Sequence, residues 1–413
     1  MTAYLLEHAL LPDGVASGVR LQVVDGVITD VQVPAASAPA GEPVHVPGLT
    51  MPGAANCHSH AFHRALRGRT QAERGTFWTW REQMYAVAAD LTPDSYFELA
   101  RETYAEMRAV GITAVGEFHY LHHQPDGTPY ADPNEMGRAL LAAADDAGVR
   151  IRLLDACYLA AGFGRPPEGV QRRYSDGDAH AWAERVAALD DERVGVAIHS
   201  VRAVPPEQLA TVVEAAAGRP LHVHLSEQVA ENEACLAATG RTPTRLLADA
   251  GALGPRTTAV HATHLADDDV RLLGESRTRV CFCPTTERDL ADGVGPSRRL
   301  HDAGAVLTLG SDSHAVIDPF EEMRAVELDE RLVSRQRGHW AATELLAAAT
   351  ADGHASLGFD DAGVIAVGRR ADLVTVDLGT VRTRGCGATP ETLVFAAGGA
   401  DVRPFPEETR WAR

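Results

Sequence analysis

The spacing of apolar and polar positions changes rhythm twice along the chain. Residues 1–50 read as short strands joined by tight turns. Leu21–Val24 and Val27–Val31 flank Asp25-Gly26, a two-residue hairpin signal. From about residue 51 to 350, short apolar runs alternate with Ala/Leu/Glu/Arg-rich helical segments such as Asp94–Val110 and Pro206–Ala217. Eight such runs stand out: Leu49–His60, Thr113–His119, Ile151–Cys157, Gly195–His199, Leu221–Leu225, Thr258–His261, Val280–Pro284 and Val306–Leu309. That rhythm belongs to a parallel sheet wrapped by helices. After it, Ala371–Asp377 and Thr392–Ala396 again look strand-like. The pattern predicts an α/β chain. A (β/α)8 TIM-type barrel spans 51–356, and both termini, 1–50 plus 357–413, build a small β-sandwich domain.

The ends of the apolar runs carry the ionisable groups. They include His58 and His60, Glu117 with His119 and Tyr120, Asp155, His199 and Arg202, His224 and Glu227, His261 and His264, Glu287, and Asp312 with His314. Loops converge at the C-terminal ends of barrel strands, where barrel enzymes place their chemistry. His58 and His60 lie two apart on a strand and present two imidazoles to one point. His222 and His224 share a face in the same way. The later one, nearer the strand's end, is the better third ligand, and His222 is expected one layer deeper. Asp312 adds an oxygen ligand. Three histidines and one aspartate around a divalent ion, with a position left for water, form a hydrolytic centre. Zinc suits it, and iron or manganese accept the same donors. Glu227 lies just past its strand, where a carboxylate reaches over the ion. His261 is a candidate general base or electrophile, and His264 is expected in a supporting position.

Composition narrows the chemistry. All 38 basic residues are arginine, so a Schiff-base lysine, a P-loop lysine and a carbamylated lysine bridging two metals are all excluded. The metal site should therefore be mononuclear. The net charge of −19 argues against nucleic acid or an anionic membrane as partner. Cys57, Cys157, Cys235, Cys281, Cys283 and Cys386 have no disulfide-framework spacing and read as small buried hydrophobes. With acidic residues early, no basic leader and no apolar run of about 18 residues, a cytoplasmic protein is expected. The connection from about 61 to 112 is long. It holds Gly75-Thr-Phe-Trp-Thr-Trp-Arg-Glu82, which either lids the barrel mouth or packs as a helix start with Trp78 and Trp80 buried.

His58-Ser-His60, His224 with Glu227, His261 and Asp312 together resemble the mononuclear amidohydrolase superfamily, in its aminohydrolase/deaminase branch. The resemblance spans the whole chain. His58-Ser-His-Ala-Phe62, Phe77-Trp-Thr-Trp-Arg-Glu82, Gly116-Glu-Phe-His-Tyr-Leu-His-His123 and His199-Ser-Val-Arg202 look like the formimidoylglutamate deiminase family within it. That resemblance implies hydrolysis of N-formimidoyl-L-glutamate to N-formyl-L-glutamate and ammonia in histidine degradation. It also implies one zinc per subunit and a homodimer. Arg81 and Arg202 would hold the two carboxylates of this small dicarboxylate, as planar guanidinium groups do. Tyr120 and His199 would donate further hydrogen bonds. His63 stands where members often carry glutamine, with a role in substrate binding implied. Two other readings use the same residues. One is a related deaminase acting on a nucleobase, a guanidine or an S-adenosylhomocysteine-like compound. The other is a metal-binding barrel without catalysis.

Overall fold

The computed structural model describes residues 1–33, 42–71 and 75–405. Eight parallel strands follow one another in space as they do in sequence. They are β1 (Ala54–Ser59), β2 (Ile112–His119), β3 (Arg150–Cys157), β4 (Val194–Ile198), β5 (Leu221–Leu225), β6 (Thr257–His261), β7 (Arg279–Phe282) and β8 (Val306–Leu309). Each is buried almost end to end. Parallel strands covered on both faces read as continuous apolar runs for this reason. β8 returns to β1 and closes the barrel. Ser59 bridges Asp312, the His58 carbonyl accepts from the amides of Ser311 and Asp312, and the His60 amide donates to the Asp312 carbonyl. Gly310 makes the seam possible. A Cβ there would sit 2.8 Å from the His58 Cβ and 2.9 Å from its backbone nitrogen. The closing backbone contacts thus fix the first histidine pair and Asp312 against each other.

The barrel floor is a layer of small side chains, including Ala55, Cys57, Ala114, Cys281 and Cys283, plugged by Leu357 and Phe359. The larger core lies between the sheet and its helices. Five of the cysteines are buried as expected, whereas Cys386 is exposed.

Strands from both ends of the chain combine into one six-stranded mixed sheet. Its order is 402–404, 373–376, 44–52, 2–11, 14–24, 27–32. It has its own core around Tyr4, Leu6, Leu21, Ile28 and Leu373. Two expectations change. The run Leu49–His60 is two strands, Val44–Pro52 in this sheet and Ala54–Ser59 in the barrel. Residues 392–396 are not a strand, because Pro390–Phe395 is a helix. Thr389 caps it by accepting from the Thr392 amide, and Pro390 occupies its first turn. Cap and proline outweighed the β-branched run that follows.

In the long first connection, a 3-10 turn Ala61–Leu66 leads to a helix, Phe77–Asp90. The Trp78 side chain and residues 72–74 lie outside the described residues. Trp80, Arg81, Met84 and Tyr85 of that helix line the cavity at the barrel mouth, so the segment does roof it.

Candidate active site

The barrel's C-terminal end holds a cavity of about 670 Å³ including its open mouth. His58 and His60 end β1, His224 is on β5, and Asp312 follows β8. Three strand ends bring these four donors to one point. Asp312 Oδ1 is 3.3 Å from His58 Nε2 and 3.4 Å from His60 Nε2. His224 Nε2 is 3.0 Å from His58 Nε2 and 3.3 Å from His60 Nε2. Main-chain oxygens set the tautomers. His60 Nδ1 donates to the Phe118 carbonyl at 3.0 Å, and His224 Nδ1 donates to the His199 carbonyl at 2.8 Å. Both Nε2 atoms are therefore bare lone pairs, and no proton is left for them to share. Burial holds His58, His60 and His224 well below the ordinary imidazole range, so they are neutral. Lone pairs and a carboxylate gathered this closely repel one another unless a cation lies between them. Ligands about 2.05 Å from a tetrahedral ion stand about 3.3 Å apart, which matches these separations. The donor set fits a divalent metal.

Two further groups face this ring. His261 ends β6, with Nε2 at 3.9 Å from Asp312 Oδ2 and 3.9 Å from Glu227 Oε1. Its Nδ1 donates to Glu287 at 3.3 Å, which aims Nε2 into the cavity. Burial alone would depress His261, but Glu227, the bond to Glu287 and Asp312 outweigh it and hold it well above the usual range. Glu227 is pushed up to about 7 by burial, opposed by His261 and reinforced by Asp312. It is the expected form of a group that moves protons at neutral pH.

The remaining candidates are also gathered. His63, Arg81, Tyr120, His199 and Arg202 all line the same cavity. His63 Nε2 and the Tyr120 hydroxyl share a 3.0 Å hydrogen bond. Arg81 Nε donates to the Tyr85 hydroxyl at 2.7 Å, and Gln171 braces that hydroxyl from the other side at 2.9 Å. His222 lies deeper, against the Ser356 carbonyl, and His264 donates to the Asp292 carbonyl away from the ring.

Sequence reasoning placed Glu117, Glu287 and His314 at strand ends without giving them roles. Glu117 accepts from the Ser59 hydroxyl at 2.5 Å and the Ala61 amide at 2.7 Å. The Ser59 hydroxyl also meets His314, which bonds Ser311, and Asn56 pins both the Ser311 amide and its hydroxyl. This buried chain holds the backbone that carries the first histidine pair and Asp312. Tyr158, Ser200 and Glu231 also line the cavity and were not anticipated. A strand-end pattern cannot point to them, because they lie in loops and a helix turn. A second cluster, His119, His122 and Asp155, has ligand-like spacing. There, however, Asp155 accepts two bonds from Arg185 and one from the Trp182 indole. An arginine already occupies the cation's place.

The amidohydrolase family model matches residues 49–403. The chain is 38% identical to a formimidoylglutamate deiminase of Pseudomonas aeruginosa, covering 100% of this chain and 94% of that one. A 5-methylthioadenosine/S-adenosylhomocysteine deaminase of Natronomonas pharaonis is 29% identical over 86% of this chain and 79% of its own. Among solved structures, an amidohydrolase from Brucella melitensis superposes with a TM-score of 0.88 at 32% identity, covering 98% and 95% of the two chains. An adenosine deaminase from Xanthomonas campestris with bound zinc gives 0.83 at 26%, covering 97% and 90%. A closed eight-stranded barrel with a His/His/His/Asp ring at its mouth, matched along nearly its whole length by that family's model, places this chain in the amidohydrolase family.

Proposed function

We propose that the protein hydrolyses N-formimidoyl-L-glutamate to N-formyl-L-glutamate and ammonia, a step of histidine degradation. One observation carries this reading. Two arginines, Arg81 and Arg202, line the cavity that the metal ring and Glu227 close. A dicarboxylate needs such cations, and a neutral purine does not. The similarity to the Pseudomonas aeruginosa deiminase supports it.

His58, His60, His224 and Asp312 would hold one divalent ion, zinc by preference. When bound, it supplies Lewis acidity and makes water nucleophilic at neutral pH. Arg81 and Arg202 bind the two carboxylates, and Tyr120, His199 and His63 add hydrogen bonds. That leaves the formimidoyl carbon facing the ring. Glu227 takes a proton from the attacking water and passes it to the terminal nitrogen. A second proton, from the new hydroxyl, reaches the same nitrogen through Glu227 as the C–N bond breaks, so ammonia leaves and the formyl carbonyl remains. His261, aimed by Glu287, stabilises the charge that develops on the entering oxygen, while Asp312 accepts a hydrogen bond from the attacking water and polarises it. The reading divides the chain into a catalytic barrel, 51–356, and a small β domain, 1–50 plus 357–413. A homodimer in the cytoplasm belongs to the same proposal. Among the described residues no helix is long and apolar enough to cross a membrane.

The test is incubation of the zinc-loaded protein with N-formimidoyl-L-glutamate, measuring ammonia and N-formylglutamate together. A one-to-one yield is expected. Release of ammonia from adenosine, S-adenosylhomocysteine or a guanidino acid instead would assign another deaminase reaction.

A further inference from the structure

The substrate cavity contains charged groups that the mechanism above leaves idle. Beyond Arg202 the wall is completed by Ser200, on the loop after β4, and Glu231, in the first turn of the helix Val229–Thr239. Arg202 Nη1, Ser200 Oγ and Glu231 Oε1 are all buried and make no well-formed hydrogen bond among the described residues, although Ser200 lies near enough to the Glu231 carboxyl, and Tyr158 to the Arg202 guanidinium, to shift their titration. Buried polar groups of this kind each cost free energy when left unmatched, and charged ones cost most. Opposite charges in one cavity would ordinarily collapse into an ion pair. Arg202 and Glu231 feel each other's charge, but they sit on different elements, a loop and a helix whose N-terminal dipole favours a carboxylate. A wider vestibule, about 1610 Å³ with the open solvent in front of it and lined by residues 161–163, 165 and 168–171 and the same helix, opens onto both groups. The three atoms form an unfilled template. It has a cation and a hydroxyl for a carboxylate, and beside them an acceptor for an N–H.

We propose that Glu231 is a specificity residue that accepts a hydrogen bond from the N–H on the same substrate carbon whose carboxylate is bound by Arg202 and Ser200. This rests on the proposed function and extends it. In an N-formimidoyl amino acid the α-carbon carries both an N–H and a carboxylate. With Arg81 taking the distal carboxylate, the α-carbon is held at three points, and the L configuration is read as well. Purines and guanidines without an adjacent carboxylate cannot fill the template. Burial pushes the Glu231 carboxyl up, while Arg202, His261 and Ser200 pull it back.

The experiment compares N-formimidoyl-L-glutamate with its analogue methylated on the internal nitrogen, in wild type, Glu231→Ala and Glu231→Gln, all zinc-loaded. A hydrogen bond to a charged group is worth roughly a 10- to 100-fold discrimination. Methylation should lower wild-type kcat/KM by about 30-fold, chiefly through KM. In Glu231→Ala, which removes the acceptor and leaves room for the methyl group, the penalty should shrink to under about 3-fold. Glu231→Gln keeps an acceptor and should keep most of the penalty. A methyl penalty that persists in Glu231→Ala, or is absent in wild type, overturns the inference. The products, N-formyl-L-glutamate and its N-methyl analogue, are titrated in parallel by calorimetry. If the wild type releases no ammonia, the proposed function falls while this binding comparison still decides the role of Glu231. Equal affinity for the two formyl ligands, or none for either, removes Glu231 from it.

Discussion

Replacing Glu227 by glutamine separates proton transfer from everything else the site does. The side chain is not part of the metal ring. Its closest partner there is His261, at 3.9 Å, and it lies on the opposite side of that imidazole from Glu287. The substitution is isosteric, and zinc content and thermal unfolding should stay at wild-type values. What is lost is a carboxyl group that burial pushes up to about 7. A group poised near the working pH contributes about 10²- to 10⁴-fold by general acid–base catalysis. The expected fall in kcat is therefore about 10³-fold, or about 4 kcal/mol of barrier at 1.36 kcal/mol per decade. KM should change by less than about 5-fold, because the carboxylate anchors are untouched. The pH profile sharpens the test. The reaction starts from ionised Glu227, so wild-type kcat/KM should fall as pH drops through about 7 and below. A dication in the ring favours the carboxylate and moves that limb downward. In Glu227→Gln the Glu227 limb should vanish. Steady-state ammonia release from pH 5 to 9, with metal content measured on the same samples, provides the assay. Turnover within 10-fold of wild type in fully zinc-loaded Glu227→Gln would refute the shuttle role.

Four further outcomes follow from the structure. Arg202→Met should leave zinc bound but lower kcat/KM by about 10²-fold, mostly through KM, because a charge-assisted pair to a carboxylate is lost; unchanged kinetics would remove Arg202 from substrate binding. Asp312→Asn should lose metal under dialysis. In wild type, chelation should lower the unfolding temperature as well as activity, since binding at 100-fold its Kd adds about 2.7 kcal/mol to stability; a chelated protein of unchanged thermal stability would speak against the ring. Away from the site, Arg185 overcomes burial and holds the Asp155 carboxyl down at about 2 against an ordinary 3.8. A depressed carboxyl contributes stability that is complete above its unfolded pKa and is lost as pH falls through the folded one, here from about 4 to 2. The contribution is on the order of 2 kcal/mol. Arg185→Met should raise the midpoint of acid unfolding and cost about 3–5 kcal/mol at neutral pH by stranding Asp155, and urea titrations at both pH values check it.

What could be read from the residues alone was whatever periodicity encodes. The barrel strands are buried on both faces, so their apolar runs stand out. Their polar ends stand out for the complementary reason, that the loops converge where the runs stop. This is why His58, His60, His224, His261 and Asp312 were legible as one site although they span the barrel. Periodicity carries nothing about which side chain aims which. Glu287 reaches His261 from the turn after β7, and Ser59 reaches Glu117 and His314 across two strand boundaries. Nor does it carry the main-chain acceptors, since the Phe118 and His199 carbonyls that fix the tautomers exist only once β1, β2, β4 and β5 are laid side by side. The misread helix at Pro390–Phe395 shows the converse. There the decisive signal was the local Thr-Pro cap rather than the apolar run.

The backbone itself records a cost at these strand ends. Ser226, His261, Ala262, Asp312 and His314 all have positive φ, between 44° and 68°, and none is glycine. Such conformations cost about 1–3 kcal/mol each and persist only where the surroundings over-determine them. Each adjoins or carries a functional group. Ser226 turns the chain so that Glu227 points inward, His261 faces the ring, and Asp312 donates its amide to the His58 carbonyl while its carboxylate meets His58 and His60. Glycine would relieve the strain at Ser226 and, by the same freedom, would release Glu227 from its aim. The strain at Ser226 is therefore part of how the barrel aims the Glu227 carboxyl, and at Asp312 and His314 the buried Glu117–Ser59–His314–Ser311–Asn56 chain beneath the seam holds the strained backbone in place.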